Sequence, residues 1–129
     1  VLMYLYNIRG FLHWGYNFYN TRFSKQRVDP YAVTDCGENF PAGDAFLVYP
    51  GADGRPRGSI RLMVLMQAMD DYRALQLLEN LSGYDTVAEM IRQEAGMRIT
   101  FAQYPRSKEF LPALRRRVGR EIERRMAGI

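Results

Sequence analysis

The stretch Gly10-Phe11-Leu12-His13-Trp14-Gly15-Tyr16-Asn17-Phe18 is almost entirely large or aromatic, and how it pairs decides the fold. A strand with one solvated face alternates apolar and polar residues, whereas a strand covered on both faces, as in a parallel sheet, does not. The run therefore predicts a buried strand, closed by Asn17, Asn20 and Thr21. Before it, Val1 to Arg9 reads as the last turns of an amphipathic helix, with Gly10 as its left-handed stop. After it, residues 22–43 carry Asp29-Pro30, Gly37, Asn39, Pro41 and Gly43 without periodicity. That predicts a loop longer than about 15 residues, a length tied to function or to disorder.

Farther out, Ala45-Phe46-Leu47-Val48-Tyr49 predicts a second short strand, ended by Pro50-Gly51 and the turn-rich Ala52 to Pro56. Ser59 is placed to cap a helix from Ile60 to Leu81, in which Leu62, Leu65, Met69, Tyr72 and Leu75 recur every three or four residues as a buried stripe. Gly83 ends it. Thr86-Val87-Ala88-Glu89 fits a capping box for a shorter helix closed by Gly96. Ser107 can cap a last helix that buries Phe110, Leu114, Val118, Ile122 and Met126, with Pro112 pushing its regular part later than Lys108. Strands and helices of this kind make an α/β chain.

Composition narrows the class. With 129 residues, 47% hydrophobic and 25% charged, the chain is long enough for one core and is neither disordered nor low-complexity. A single Cys36 and a single His13 cannot form a disulfide or a Cys/His zinc cage. No apolar run approaches the roughly 20 residues of a membrane span, so the chain reads as soluble, with no membrane partner and no cofactor. The opening Val1-Leu2-Met3-Tyr4-Leu5-Tyr6 is apolar from its first residue, which reads as the middle of a longer chain and predicts packing against structure outside it.

The net charge of +4 is local, because Arg106 to Arg125 holds eight basic and three acidic residues and the remainder is nearly neutral. Arg115, Arg116, Arg117, Arg120, Arg124 and Arg125 either form a phosphate- or acid-binding stripe or a solvated helix face interleaved with Glu121 and Glu123. No nucleic-acid module motif accompanies them, which favours the second reading and no nucleic-acid partner.

Three blocks taken together, Gly10 to Asn20, Gly43-Asp44-Ala45-Phe46-Leu47-Val48-Tyr49-Pro50-Gly51, and Ser59-Ile60-Arg61-Leu62 with Asp70-Asp71-Tyr72, resemble a C-terminal domain of unknown function. That domain forms the tail of catalytic domains similar to glycoside hydrolase family 123, the β-N-acetylgalactosaminidase-like enzymes, and the resemblance runs from Val1 to about Ala127. It implies that residues 1–129 are a single C-terminal segment of a (β/α)8 barrel, with the first strands in an N-terminal part of the barrel missing from this chain. It implies substrate-assisted hydrolysis of an N-acetylhexosamine-containing glycan, in which an adjacent Asp-Glu pair orients the sugar's acetamido group and protonates the leaving group. No Asp-Glu dipeptide occurs here, so the resemblance implies no catalytic residue in this chain. Met63 and Met66 stand where the family pattern has an acidic residue and an Arg, which bears on any polar network around Arg61.

Several residues compete for functional roles. Asp70 and Asp71 are neighbours on a predicted helix and so point about 100° apart, unlike carboxylates that flank a single glycosidic bond; Asp71 is better suited to pair with a basic neighbour. Histidine is the side-chain type suited to acid-base work at neutral pH, but His13 sits among apolar residues, where a hydrogen-bonded core role competes with it. Cys36 lies beside Asp35 and Glu38, which raise a thiol pKa and argue against a nucleophile. Tyr49-Pro50-Gly51 reads as a structural turn. Trp14, Tyr16 and Asn17, at the end of the aromatic run where barrel strands present ligand residues, are the candidate sugar-binding residues, with core packing as the rival role for the two aromatics. The following loop, through Asn20, Asp29 and Asp35, is expected to roof the same cleft. The leading reading is a sugar-site wall without the catalytic pair. The alternative is a non-catalytic structural or interaction domain that docks through the basic terminal helix.

Overall fold

In the computed structural model, residues 1–128 are described, and the order of elements is α1 (Leu2–Leu5), β1 (Val48–Pro50), β2 (Pro56–Gly58), α2 (Ile60–Ser82), α3 (Tyr84–Ala95) and α4 (Phe110–Met126). The architecture is mixed, with helices and one two-stranded sheet. It divides into two compact units, residues 1–10 with 68–129, and Phe11–Gln67.

In the first unit, helix propensity and apolar spacing act together. Leu75, Leu78, Val87, Met90, Ile91, Ile99, Leu114 and Val118 form one buried cluster, to which α4 contributes the face that also carries Phe110 and Ile122. α4 begins at Phe110, so Pro112 falls in the first turn, where its missing N–H removes no helical bond. Ser107 does not cap the helix proper; its Oγ accepts from the Glu109 N–H one step upstream. α3 starts at Tyr84 rather than at the expected capping box, and Glu89 turns outward to Arg92 and Gln93 instead of back to Thr86. Gly96 ends α3 in the left-handed conformation, as expected.

Part of the apolar opening finds cover within its own unit. Tyr4 is buried, and Val1, Leu2 and Leu5 pack against the cluster. α1 stops early because Asn7, not Gly10, adopts positive φ (52°).

The second unit departs most from expectation. Phe11 to Phe18 is not a strand. Tyr16 N–H donates back to Trp14 O at 3.2 Å, and the segment touches the chain at Ala45–Val48 through one antiparallel bridge, Asn17 with Phe46. A strand covered on both faces needs a partner on each side; among the described residues Phe11 and Leu12 have none, and Leu12 is 90% exposed. The kink is centred on Gly15, where a Cβ would lie 2.0 Å from the Asp44 carbonyl oxygen, so only glycine allows this approach.

The second strand appears shifted to Val48–Pro50 and pairs antiparallel with β2 in the register Val48 with Gly58, Tyr49 with Arg57 and Pro50 with Pro56. Pro-Arg-Gly has little strand propensity, and turn chemistry forms this hairpin: Gly51 N–H donates to Arg55 O and Asp53 Oδ1 accepts from Arg55 N–H. Residues 22–43 are irregular, as expected of a long loop. Ser59 caps α2 as predicted, its Oγ accepting from Leu62 N–H at 3.2 Å. Among the described residues no helix is long and apolar enough to cross a membrane.

Candidate functional site

Trp14 stands at the corner made by the kink and the Gly43–Phe46 segment. Its ring packs on Phe40 with centroids 4.6 Å apart and meets the edge of Phe18 at 5.6 Å. Its indole Nε1–H donates to Asp44 Oδ2 at 3.0 Å. The residue remains 47% exposed, so it is neither a core tryptophan nor a loose one. Phe40 and Phe18 support one side of the indole and Asp44 fixes its rotation.

Asp44 is itself held from several directions. His13 Nε2–H donates to the Asp44 carbonyl oxygen at 2.9 Å, which sets the ring's tautomer because a carbonyl only accepts. Arg61, from the first turn of α2, donates through Nε (3.2 Å) and Nη2 (2.8 Å) to Phe46 O, and Nη2 also donates to Tyr49 Oη at 2.8 Å. The guanidinium lies under Gly43, whose Cβ, if present, would sit 2.6 Å away. Phe46 and Ala45 are fully buried and Tyr19 Oη donates to Val48 O, so the segment bearing Asp44 is clamped to both sides of its own unit. Met63 and Met66 are exposed and take no part; the Arg61 network forms through backbone carbonyls and Tyr49 without the family's charged pair.

Tyr16 and Asn17 are also at this corner in the backbone, since Tyr16 O accepts from both Leu47 and Val48 N–H groups and Asn17 bridges Phe46. Their side chains are exposed, and among the described residues neither has a hydrogen-bond partner. The expected roof residues serve turns instead: Asp29 Oδ1 accepts from Tyr31 N–H, Asp35 Oδ1 accepts from Gly37 N–H, and Asn20 bridges Arg27. Asp44 and Phe40 stand at this corner without a signal strong enough to single them out in the sequence, whereas the polar network expected around Arg61 is present. For Asp44 the signal was Gly43-Asp44-Ala45, where small residues on both sides permit a crowded approach.

The remaining candidates fall to structural roles. Asp71 accepts a two-pronged pair of bonds from Arg115 Nε and Nη2, at 2.7 and 2.8 Å, and these raise the Arg115 pKa. Asp70 pairs with Arg73 at the surface. Cys36 is buried and its Sγ–H donates to Phe18 O; burial and then the nearby Asp35 push the thiol pKa upward. Of the arginine stripe, Arg117 meets Glu94 and Gln93, while Arg124 and Arg125 converge on Glu121. Those two arginines hold the Glu121 carboxyl down at about 2. Among the described residues, no group of three or more His, Cys, Asp or Glu side chains is arranged to hold a metal.

Residues 1–78, which include Trp14, Tyr16, Asn17, Asp44 and Arg61, match the model of the glycoside hydrolase 123 catalytic domain. The chain belongs to glycoside hydrolase family 123. The matched part of this family 123 chain takes in the whole of Phe11–Gln67 and ends inside α2, while α3 and α4 follow it. A comparison with curated proteins gave no match.

Proposed function

We propose that this family 123 chain is the C-terminal segment of a (β/α)8 barrel and supplies one wall of its sugar site. The substrate is a glycan containing an N-acetylhexosamine, hydrolysed with assistance from its own acetamido group. The catalytic acid pair belongs to a part of the barrel outside this sequence, since the chain carries no Asp-Glu.

One observation carries this reading: a half-open indole, braced from behind by Phe40 and locked by a carboxylate whose other oxygen the indole does not use. A sugar ring presents C–H bonds on one face and hydroxyls around its edge. Trp14 offers the flat apolar surface for that face, and Asp44 beside it offers an acceptor for a hydroxyl. Tyr16 and Asn17 add free donors and acceptors. Because Trp14 and Asp44 are already fixed by their neighbours, little side-chain freedom is lost on binding. The barrel assignment is supported by Phe11 and Leu12, large apolar side chains left exposed among the described residues, as a surface that another part of a barrel would bury.

The test is binding and turnover by the full-length protein. Asp44→Ala is expected to raise KM for an aryl N-acetylgalactosaminide by about tenfold or more while the protein stays folded. Unchanged KM and kcat in that variant would refute the sugar-wall role.

A further inference from the structure

Next to the aromatic corner, the chain forms a small ribbon whose tip is unlike the rest of the loop. Val28 N–H donates to Tyr19 O (3.1 Å), Thr21 N–H to Gln26 O (2.8 Å), and Gln26 N–H to Thr21 Oγ1 (3.1 Å), while Asn20 bridges Arg27. These bonds hold out a tip of Arg22, Phe23, Ser24 and Lys25. Phe23 and Ser24 have φ of 60° and 54°, left-handed values that a bulky residue such as Phe rarely adopts. At this tip Phe23 is 77% exposed, with the Arg22 guanidinium 5.0 Å and the Lys25 ammonium 6.0 Å from its ring centroid.

The two cations have no acidic partner among the described residues. The loop's Asp29 and Asp35 are turned to backbone N–H groups of their own turns. Arg22 and Lys25 line a cavity of about 380 Å³ with Thr21, Phe23, Gln26 and Asn39, none of them acidic. Asn39 also connects this cavity to the sugar wall: its chain neighbour Phe40 carries the Trp14 indole, one Cα step of about 3.8 Å along the backbone.

We propose that this cavity receives the anionic group, a uronate carboxylate or a sulfate ester, of a glycan whose neighbouring sugar rests on Trp14. The inference rests on the sugar-wall reading and adds the charge class of the substrate. Arg22 and Lys25 attract the anion, the Phe23 ring holds both cations together, and Thr21 and Gln26 supply neutral donors at the rim.

The experiment is calorimetric titration of the full-length protein, with its catalytic acid pair silenced, at low salt. Three disaccharides are compared: neutral galactosyl-N-acetylgalactosamine, unsulfated chondroitin disaccharide, and the neutral disaccharide carrying a 6-sulfate. At least one charged sugar is expected to bind about tenfold or more tighter than the neutral one, and the preference should collapse near 0.5 M NaCl. The arm that gains tells carboxylate from sulfate. Arg22→Gln with Lys25→Gln should erase the preference and leave neutral binding unchanged, and the charge-keeping pair Arg22→Lys with Lys25→Arg should restore it. Neutral binding with no charge preference, or a preference that survives the Gln pair, overturns the anion site alone. Failure of all three sugars to bind overturns the sugar wall and the anion site together.

Discussion

Replacing Trp14 by Ala separates a sugar platform from a structural tryptophan, because the two roles differ in size of effect. Truncating a fully buried Trp costs about 3–5 kcal/mol. Trp14 is 47% exposed, so roughly half of that contact is at stake, with about 1 kcal/mol more for the Nε1–H bond to Asp44. The expected loss is therefore about 2.5–3.5 kcal/mol in the unit Phe11–Gln67, which lowers the melting temperature by roughly 10–25 °C without abolishing folding. Affinity for a neutral N-acetylgalactosaminyl disaccharide should fall far more steeply in relative terms, beyond calorimetric detection, since the platform is gone. Trp14→Phe refines the result. It keeps a stacking ring but releases Asp44, so it should recover part of the affinity while giving Asp44 a new rotamer. The assays are a thermal melt followed by circular dichroism and a titration on the same full-length protein. A Trp14→Ala variant that loses more than about 4 kcal/mol, and whose folded fraction binds sugar as tightly as wild type, would refute the reasoning.

Asp71→Asn should leave kcat/KM unchanged within about twofold and lower stability by roughly 0.5–1 kcal/mol, because its Arg115 pair is partly solvated; a large loss of turnover with an intact fold would restore Asp71 as a catalytic candidate. Gly15→Ala should unfold or reshape the corner, given the 2.0 Å approach of its Cβ to Asp44 O, and wild-type melting in that variant would show the kink to be wrong. Glu89 and Glu121 have folded pKa values near 2, below the ordinary 4.5, through hydrogen bonds from Arg92 and Gln93 and from Arg124 and Arg125 respectively. Their depressed pKa means that the stability they contribute is present above about pH 4.5 and is lost as pH falls toward 2. Acid titration followed at 222 nm should show that loss, and Glu121→Gln should flatten it; a titration identical to wild type would discount the α4 pairs.

The helices were legible because their signals are local. Ser59, Gly83 and Gly96 mark boundaries through a hydroxyl or a backbone conformation that the residue itself provides, and Leu75, Leu114 and Val118 repeat at the helical period. The aromatic run misled for the opposite reason. Its residue types describe a surface that wants covering on both sides, but a strand exists only where partners pair with it. Among residues 1–128 only Ala45 to Val48 comes alongside, and Gly15 bends the run toward Asp44. β2 was invisible because Pro56-Arg57-Gly58 is a strand by virtue of the Gly51–Arg55 closure, not of its own side chains.

At the candidate site the same distinction decides which residues were found. Trp14 was legible as a large ring in an aromatic context, and it does lie open. Asp44 was not, because its small neighbours Gly43 and Ala45 say only that the chain can be approached closely there; the difference from Asp29 and Asp35 lies in what reaches it from elsewhere. Asp29 and Asp35 bond to backbone two residues away, which any turn aspartate does. Asp44 is met by Trp14 and His13 from 30 and 31 residues earlier, and its segment is pinned at Phe46 by Arg61 from 15 residues later. An aspartate that only shapes a turn has no need of such distant supports. Three long-range contacts converging on one short segment, with a carboxylate left at its edge and an indole half open beside it, fix the position of the groups that would meet a substrate. That convergence ranks Asp44 with Trp14 and above Tyr16 and Asn17, which reach the corner through their backbone alone.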